Sequence, residues 1–548
     1  MHSIMCSLGT HRNILAPISR LPSELLLHIF SFCGGEKPFR YEFVRGLRLG
    51  WIRVTHVCRY WRDSALQHSS LWSEPTLALG PEWLHLMLSR SKTTPLFIDF
   101  FLYMASDTPQ SEICNMIAEH TSHIRHLSVG GVASDLIRNF TKLASPTDCL
   151  ESLRVSAVVM HHAERLILSD ELRDVFPHLR RIELQEVPMH WSSPILCGLT
   201  HLKLAFDDPG FNSDWWFSKS QSSGKTTFYG LFFSALERMP ALEVLDLKNA
   251  LPSRDGGSHE DRLVALSLLR KVELEDETVR CFDILKQLKF PPSCHLTLIC
   301  NEPTGVERIA DIFPVLRDYV RDGDMPPPAI LTLAVERDYF QLDIEQNHDL
   351  LAHAPDFDFC ETTADISPLE HLRVFSLRHR YDVNFQWSRE RWIEIFGRCR
   401  AVEHVHVMRT AATLISALAH PIPRSAAEQD AQQGPGYRLF LENLKTLTFK
   451  DVNFEHEFGD GHEPETLSEV ALKLFASRKQ IKALPTMHIS ADCNIATAVR
   501  EELEKMFKVV RLPRPEYGEL WDGISSSDSD DSYPIYSHGD SSAGSSSD

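Results

Sequence analysis

The chain has 548 residues, of which 43% are hydrophobic, enough to form a sizeable buried core. Its 56 lysines and arginines against 75 aspartates and glutamates give a net charge of −19. An acidic chain does not attract nucleic acid or an anionic membrane non-specifically, so we expect neither as a partner. No apolar run approaches the ~20 residues that span a bilayer, and the beginning of the chain lacks a signal-peptide core.

The twelve cysteines are scattered without a pairing rhythm, and no Cys-x-x-Cys pair occurs. This usage is typical of reduced thiols, which predicts a cytoplasmic or nuclear location, or both. The length is compatible with three or four domains, or with fewer if one of them is an elongated repeat array.

Residues 1–18 are a polar lead-in that we predict to be flexible. A helix is predicted after Pro22, which suits a first helical position because it has no N–H to leave unpaired. Apolar residues then occupy more than one side of the helix: Leu25, Leu26, Leu27, Ile29, Phe30 and Phe32. A short helix of this kind must bury one face in its own domain and a second against another partner.

A second helix is predicted from apolar residues at three- and four-residue steps, namely Val54, Val57, Cys58, Trp61 and Ala65. Leu71 and Trp72 follow a Ser-Ser break and supply a bulky plug for the space between the helices. A unit this small needs a partner or a larger neighbouring core. Periodicity alone is equally compatible with a helical cap for the rest of the chain.

The residues Leu21-Pro22, Ile29-Phe30, Val57-Cys58-Arg59, Trp61-Arg62 and Leu71-Trp72 together resemble an F-box, and most closely the F-box-like segments of fungal proteins. The resemblance covers about a tenth of the chain, which we assign to residues 19–76. It implies a helical module that binds the Skp adaptor and, through it, a cullin. The adaptor-binding residues that it implies are Leu21, Pro22, Leu25, Ile29, Val57, Cys58 and Trp61. The spacer 34–50 is longer than in that family, which puts the middle helix in question.

The next part of the chain, residues 77–515, alternates predicted strands and helices. A helix is predicted at 83–89 and a strand at 93–103. Nine segments then carry a Leu-x-x-Leu-x-Leu pattern, with other apolar residues allowed: 124–129, 150–155, 179–184, 199–204, 242–247, 269–274, 372–377, 402–407 and 444–449. Helices are predicted between and after them, at 134–143, 163–176, 228–239, 279–288, 306–320, 389–400, 466–477 and 495–507.

A strand and helix that cannot bury their apolar sides alone gain a continuous core when copies stack. The pattern resembles leucine-rich repeats in a degenerate form, since its spacing runs from 20 residues to more than 40. The predicted fold class is therefore an α/β repeat: a helical F-box-like module, an irregular leucine-rich-repeat solenoid and a tail. An irregular α/β domain is the alternative. Residues 425–436 are a predicted flexible insertion, and the Ser/Asp-rich segment 516–548 is a predicted disordered acidic tail.

In parallel strands that line one concave face, the residues alternating with the core leucines point into the concavity. The candidate target-binding residues on that face are Glu183, Lys203, Asp246, Glu273, Arg378, His404 and His406. This set is polar, of mixed charge and without aromatic residues. It therefore favours a protein-binding surface over a pocket for a small apolar ligand.

Motifs for catalysis or cofactors are weak. Residues 222–227 resemble the end of a phosphate-binding loop, but Lys219 occupies the position where that loop needs a glycine. The closely spaced histidines His120, His123 and His126 lack further ligands at a familiar metal-site spacing, as do His404 and His406. We therefore expect no cofactor, no metal and no catalytic residues. In the tail, Ser525 and Ser527 each precede an aspartate by three residues, a pattern that acidophilic kinases accept.

These features predict a non-catalytic substrate-recognition subunit of a Skp–cullin–F-box ubiquitin ligase. In this interpretation the F-box-like module binds the adaptor and the repeats bind a target protein. One alternative is a repeat scaffold unrelated to ubiquitin, whose N-terminal helices only cap the array. Another is an enzyme with a dispersed site. Exposed apolar residues on the first helix favour the adaptor, whereas a fully buried helix favours the cap.

Overall fold

A computed structural model of the chain contains a small helical region followed by an α/β region built on one large, open sheet. The residues that the structure describes are 12–13, 15–33, 38–40, 47–102, 110–144, 147–159, 166–207, 228–253, 262–291, 293–301, 330–335, 340–345, 372–379, 388–397, 399–409, 412–419, 421–423, 437–455, 457–458, 465–481 and 484–512. The predicted flexible insertion 425–436, the tail 516–548, the helix 306–320 and the loop 222–227 lie outside them, as do most of residues 1–18.

Among its described residues, the helical region includes two longer α-helices and three short 3-10 helices. Helix α1 is Ser23–Cys33 and helix α2 is Arg59–Gln67. The 3-10 helices are Pro17–Arg20, Gly50–His56 and Ser69–Trp72. Within the long spacer, Phe39–Arg40 pairs antiparallel with Leu47–Arg48.

The prediction of one helix from Val54 to Ala65 is wrong, because the chain breaks between two helical segments. Cys58 has an extended backbone, with φ −156° and ψ 171°, and forms the N-cap of α2. Its sulfur accepts a hydrogen bond from the Trp61 backbone N–H at 3.5 Å. A residue in this conformation ends one helix and starts another, so Val57 and Trp61 are not on one continuous helical face.

The helical region has its own hydrophobic core. Leu26 and Phe30 of α1 pack there with Trp51, Ala65 and Trp72, and each is nearly or fully buried. The Trp51 and Trp72 rings meet edge to face, with centroids 5.0 Å apart, and the Trp72 indole N–H donates to the Ala65 carbonyl at 2.9 Å. The prediction that Trp72 fills the space between the helices is confirmed.

Helix α3, Pro81–Ser91, joins this small core to the large one. Met87 packs into the helical region, whereas Leu84 and Leu88 of the same helix pack into the core beneath the sheet. Arg90 also lies over the Trp72 ring, 4.5 Å from its centroid. The larger neighbouring core that the small unit needs is therefore supplied through one shared helix.

Fifteen strands of the described residues form the main sheet, here named β1–β15. Their bounds are Leu96–Phe101, Ile124–Val132, Ser152–Val158, Arg181–Gln185, His201–Ala205, Val244–Lys248, Lys271–Asp276, His295–Cys300, Ile330–Val335, Phe340–Glu345, Val374–His379, His404–Met408, Thr446–Lys450, Thr486–Ser490 and Val509–Leu512. Neighbours in the chain are neighbours in the sheet and run parallel, except around β10. This strand lies between β8 and β9 and is antiparallel to both.

The helices of the α/β region follow or separate the strands. After α3, helices α4–α12 are Gln110–Ala118, Ala133–Leu143, Leu172–Val175, Phe228–Glu237, Thr278–Leu285, Arg389–Phe396, Ala412–Ala419, Leu467–Ile481 and Thr497–Met506. Two further 3-10 helices are Thr121–His123 and Pro194–Leu196. One continuous hydrophobic core lies between these helices and one face of the sheet, from Leu84 to Phe507.

Besides the pair in the spacer, three pairs of short strands among the described residues lie outside the main sheet. Val264–Ala265 pairs parallel with Leu288–Lys289, and Glu457–Phe458 pairs antiparallel with Glu465–Thr466. Pro421–Pro423 pairs antiparallel with Tyr437–Leu439. The two strands of the last pair lie on either side of the predicted insertion 425–436 in the sequence. The two ends of that segment are therefore close together.

Every segment with the Leu-x-x-Leu-x-Leu pattern contributes to a strand, because its second and third apolar residues alternate toward the core. In β6, for example, Leu245 and Leu247 are fully buried. The strand predicted at 93–103 forms as Leu96–Phe101. Strands β8, β9, β10, β14 and β15 were not predicted. The helix predicted over 163–176 is too long, because only Leu172–Val175 is helical among the described residues.

The chain leaves four of the parallel strands in the same way. Glu186, Asn249, Arg409 and Asp451 each follow the last residue of β4, β6, β12 and β13, and each has a positive φ between 48° and 69°. A left-handed residue turns the chain sharply out of the sheet at little cost for asparagine and aspartate. The same local geometry thus recurs at equivalent positions along the sheet.

Candidate functional site

An apolar stripe runs along the outer side of α1. Leu25, Ile29 and Phe32 lie at steps of four and three residues, so they share one helical face, and their exposed fractions are 52%, 37% and 78%. Val57, between Gly50–His56 and α2, is 57% exposed. We name Leu25, Ile29, Phe32 and Val57 the apolar surface.

The opposite side of α1 holds the apolar surface in place. Leu26 and Phe30 are buried, and the Phe30 ring lies 5.0 Å from the Trp61 ring between centroids. At the start of the helix, the Tyr60 hydroxyl donates to the Leu21 carbonyl at 2.8 Å. The helix is therefore anchored on one face and at one end while its other face remains open.

A shallow depression of about 220 Å³ lies where the end of α1 meets the 3-10 helix. Its lining residues are Cys33, Gly50, Trp51, Arg53, Val54 and Val57. Gly50 has a φ of +52°, and its carbonyl accepts a hydrogen bond from the Arg53 Nε–H at 3.1 Å. The depression extends the apolar surface at the Val57 side.

The helical region matches a known protein family. Residues 18–78 match the F-box-like family. Domains of that family generally bind Skp-type adaptors. A search of curated proteins finds no match for the chain.

The seven predicted adaptor-binding residues lie in two different surroundings in the F-box-like domain. Leu25, Ile29 and Val57 lie on the apolar surface, and Pro22 is exposed beside it. The other three have internal roles: Leu21 and Trp61 pack against the small core, and Cys58 caps α2. Sequence reasoning missed Phe32 as a surface residue, although its position seven residues after Leu25 placed it on the same helical face.

A second candidate surface is the face of the sheet that points away from the core. Strand register aligns one polar residue from each of fourteen strands into a continuous row: Asp99, Ser128, Arg154, Glu183, Lys203, Asp246, Glu273, Thr297, Asp343, Thr332, Ser376, His406, Thr448 and His488. This row contains five of the seven predicted target-binding residues. The other two, Arg378 and His404, lie on the same face in the flanking rows.

The middle of this face is a ladder of charged residues. Lys203 Nζ lies 2.7 Å from Asp246 Oδ2, and Lys271 Nζ lies 2.8 Å from Glu273 Oε2. Arg154 Nε is 3.6 Å from Glu183 Oε2. Opposite charges on directly paired strands stabilise a sheet modestly, which applies to Lys203–Asp246 and Arg154–Glu183, whereas Lys271 and Glu273 belong to one strand.

Burial changes the acid–base properties of the ladder. It raises the pKa of the Asp246 carboxyl, and the neighbouring Glu273 charge raises it further, while Lys203 lowers it. Burial also raises the pKa of the Asp343 carboxyl. The Oδ2 atom of Asp343 accepts a hydrogen bond from the Gln341 side-chain amide at 3.0 Å. The face therefore concentrates partly desolvated carboxyl groups between β6 and β10.

Thr297, Thr332 and Asp343 were missed because β8, β9 and β10 were missed. Their segments, His-Leu-Thr-Leu-Ile-Cys, Ile-Leu-Thr-Leu-Ala-Val and Phe-Gln-Leu-Asp-Ile-Glu, do alternate. Alternation of apolar and polar residues is itself a strand signal. These segments lack the first leucine of the Leu-x-x-Leu-x-Leu pattern at its expected position, so that pattern does not predict them.

The histidines singled out for their spacing have other surroundings in the structure. His126 faces outward from β2 and stacks on Phe97, with ring centroids 4.6 Å apart, while His120 and His123 precede the strand. Within the described residues, no three histidine, cysteine, aspartate or glutamate side chains are arranged to hold a metal ion. No helix of the described part of the chain could cross a membrane.

Proposed function

We propose that this protein is a non-catalytic substrate-recognition subunit of a Skp–cullin–F-box type ubiquitin ligase. The F-box-like domain binds the Skp-type adaptor and, through it, a cullin. The outward face of the sheet, with its leucine-patterned strands, binds a target protein. The observation that carries the proposal is the exposed apolar surface on an F-box-like helix whose other face is anchored.

The apolar surface supports adaptor binding over a purely structural role. A helix that served only to cap the sheet would bury its apolar residues against it, whereas Leu25, Ile29 and Phe32 are 37–78% exposed. Burying a side chain of this size releases roughly 1.5–3 kcal/mol. Three such residues and Val57 together provide a substantial driving force for association.

The sheet face supports target binding through its breadth and chemistry. Polar side chains from fourteen strands lie in one row across the sheet. A row of this length suits contact with an extended protein partner better than with a small molecule. The charged pairs of the central ladder hold their side chains in fixed positions, which favours specific recognition over non-specific attraction. A cytoplasmic or nuclear location belongs to the same proposal.

The test is a binding measurement between the full chain and the Skp-type adaptor of its own host. Changing both Leu25 and Ile29 to alanine should weaken binding at least tenfold, because two apolar side chains leave a buried interface. Surface plasmon resonance with immobilised adaptor measures the change. Circular dichroism verifies that the variant is folded.

The matched control changes two exposed aliphatic residues outside the F-box-like domain, Leu268 and Val279, which are 55% and 46% exposed. This variant should bind the adaptor as the wild type does. If the Leu25/Ile29 variant is folded and keeps wild-type affinity, the apolar surface is not the adaptor contact. If the wild-type chain does not bind the adaptor at all, the helices serve as a cap and the ligase role is wrong.

A further inference from the structure

A group of basic side chains lies at the N-terminal ends of β2–β5, on the outward face of the sheet. Strand register places His126, Ser152, Arg181 and His201 side by side on these four strands. Arg180 immediately precedes β4 at the same margin of the sheet. We name these five residues the arginine patch. Both arginines are exposed, and the other three residues are partly exposed.

The row of the patch ends at an apolar residue on each side. Phe97 of β1 pairs with His126 and stacks on its ring, with centroids 4.6 Å apart. Val244 of β6 pairs with His201 at the other end. The six described residues from Phe97 to Val244 in this row include no aspartate or glutamate. A partner that contacts this row therefore meets no carboxylate within it.

Three glutamates lie around the patch, and each is paired with an arginine that does not belong to it. The pairs are Glu151–Arg125 at 2.8 Å, Glu183–Arg154 at 3.6 Å and Glu243–Arg270 at 3.9 Å. Among the described residues, neither Arg180 nor Arg181 forms an ion pair. On β1, three strands away from β4, Asp99 accepts a hydrogen bond from the Ser128 hydroxyl at 2.7 Å. The two arginines of the patch are therefore without a carboxylate of their own.

Glu151 shows how the carboxylates near the patch are shared. The hydrogen bond from Arg125 lowers the pKa of Glu151, and the charge of Arg180 lowers it further. One carboxylate thus faces two guanidinium groups. It neutralises one of them at most, which leaves Arg180 available to a carboxylate of another molecule.

The histidines of the patch experience the same positive surroundings. Burial lowers the pKa of His201 and Arg181 lowers it further, whereas Glu243 and Glu183 oppose the effect. Burial is also the main cause of the lowered pKa of His126, to which Arg181 contributes. Both rings are therefore neutral at pH 7 and carry one N–H donor each. A negative charge placed beside Arg181 would offset the positive charge that acts on both rings.

We propose that the arginine patch binds an acidic segment, rich in aspartate and glutamate, of the target protein. This inference rests on the proposed function of the outward face as the target-binding surface, and it names the chemistry of the segment that this face recognises. Arg180 and Arg181 supply the positive charge. The Ser152 hydroxyl and the N–H groups of the two histidines supply further hydrogen-bond donors.

The size of the patch suits an extended peptide better than a single small anion. Four neighbouring strands span about 14 Å, at roughly 4.8 Å between neighbours. An extended chain that lies across them places about four residues on the patch, at roughly 3.3 Å each. A guanidinium group binds a carboxylate through two parallel N–H donors, so each arginine can hold one acidic side chain. A small anion would contact only part of this row.

Nucleic acid is the other polyanion that arginines attract. It carries a negative charge at every nucleotide, and the chain as a whole has a net charge of −19, which repels such a backbone away from the patch. A peptide can confine its charge to the few residues that lie on the patch. The distribution of charge on this chain therefore favours an acidic peptide.

The test measures binding of the full chain to a fluorescein-labelled peptide of alternating serine and aspartate, twelve residues long. Fluorescence anisotropy at low salt reports the affinity. A serine–asparagine peptide of the same length is the uncharged control, and a twelve-nucleotide oligothymidylate is the nucleic-acid control. We expect the acidic peptide to bind at least tenfold more tightly than either control.

Arg181→Gln should weaken binding of the acidic peptide about three- to tenfold, because it removes one of the two charges that hold its carboxylates. Arg181→Lys keeps the charge and should lose less affinity. The matched control is Arg138→Gln on α5, which changes the net charge by the same amount at a side chain that is 70% exposed. This variant should bind the peptide as the wild type does.

Equal effects of Arg181→Gln and Arg138→Gln would overturn the proposal, as would equal binding of the acidic peptide and either control. Peptide binding that appears only after deletion of residues 513–548 would also overturn it, because the chain's own acidic tail would then occupy the patch. Arg181 lies outside residues 18–78, so Arg181→Gln should keep the wild-type affinity for the adaptor. Measuring that affinity on the same proteins separates failure of this proposal from failure of the ligase role.

Discussion

Phe30 and Phe32 are separated by one residue of α1, yet their exposed fractions are 1% and 78%. The difference follows from helical geometry, because side chains two positions apart point about 200° apart. Phe30 completes the small core, where its ring meets Trp61. Phe32 extends the apolar surface, so the two phenylalanines have separate consequences for stability and binding.

Asp276, the last residue of β7, shows how burial and hydrogen bonding compete at a single carboxyl group. It accepts hydrogen bonds from the backbone N–H groups of Leu251 at 3.0 Å and Glu277 at 2.8 Å. Arg280 lies 3.5 Å away. Burial nevertheless dominates and raises the pKa of Asp276 to about 6, since only 3% of the residue is exposed.

This raised pKa predicts a pH dependence of stability. The folded state holds the Asp276 proton more tightly than the unfolded state, whose pKa is near 3.9, so the free energy of unfolding falls as the pH rises from about 4 to 6. The contribution is at most about 3 kcal/mol. Asp276→Asn cannot ionise, so its stability relative to wild type should increase over this range, as measured by urea unfolding at several pH values.

A constant difference between the two proteins from pH 4 to 7 would contradict the prediction. Asp170→Asn is the control, because it makes the same substitution at an exposed position.

At the scale of the element, α11 is connected to its neighbours by one buried arginine. Arg478 is 1% exposed, and its guanidinium donates to the Phe440 and Leu441 carbonyls at 2.9 Å each and to the Leu418 carbonyl. Burial lowers its pKa to about 10. One side chain thus satisfies the carbonyls at the end of α10 and in the loop before β13.

Replacing Arg478 with leucine should destabilise the protein by about 3–5 kcal/mol, because three buried carbonyls lose their donor at roughly 1–3 kcal/mol each with partial compensation. The free energy of unfolding in urea measures the loss. Lys479→Leu, at the next and exposed position, is the control and should change stability by less than about 0.5 kcal/mol. Equal losses from the two substitutions would show that the carbonyl contacts are unimportant.

At the scale of the whole molecule, the F-box-like domain and the sheet are joined by α3. Besides the shared helix, the Phe97 N–H of β1 donates to the Ser73 carbonyl at 2.9 Å, and the Thr94 hydroxyl donates to the Ser69 hydroxyl at 2.6 Å. The two parts of the chain are therefore joined by packing along one helix and by two hydrogen bonds.

The shared helix predicts that neighbouring substitutions in α3 act on different cores. Met87→Ala should increase hydrogen exchange in α1 more than in β2, because it leaves a cavity of the kind that costs about 2–5 kcal/mol in the small core. Leu84→Ala, nearly one turn earlier, should do the reverse. Hydrogen–deuterium exchange with mass spectrometry measures both. If each variant raises exchange equally in both regions, the two cores unfold as one unit and the assignment is wrong.

The local rules of the chain can be read from its sequence. The leucine pattern predicts nine strands because alternation places the second and third apolar residues on one side of each strand. This depends only on the local sequence and not on the neighbouring strands. The helix at α1 and the tryptophan plug follow from spacing in the same way. The resemblance of residues 21–72 to an F-box agrees with the family match over 18–78. The leucine-rich-repeat solenoid, the domain division outside this match and the flexible segments remain predictions.

Other features depend on contacts between distant parts of the chain, which only the tertiary structure decides. Cys58 breaks a helix that periodicity alone would continue, since its N-cap conformation and the packing of Trp61 outweigh local propensity. The antiparallel insertion of β10 and the alignment of Glu183, Lys203 and Asp246 require a strand order and register that no single segment encodes. The same is true of Leu25 and Leu26: both are apolar in the sequence, but only burial against Trp51 and Trp72 distinguishes the core face of the helix from the exposed face.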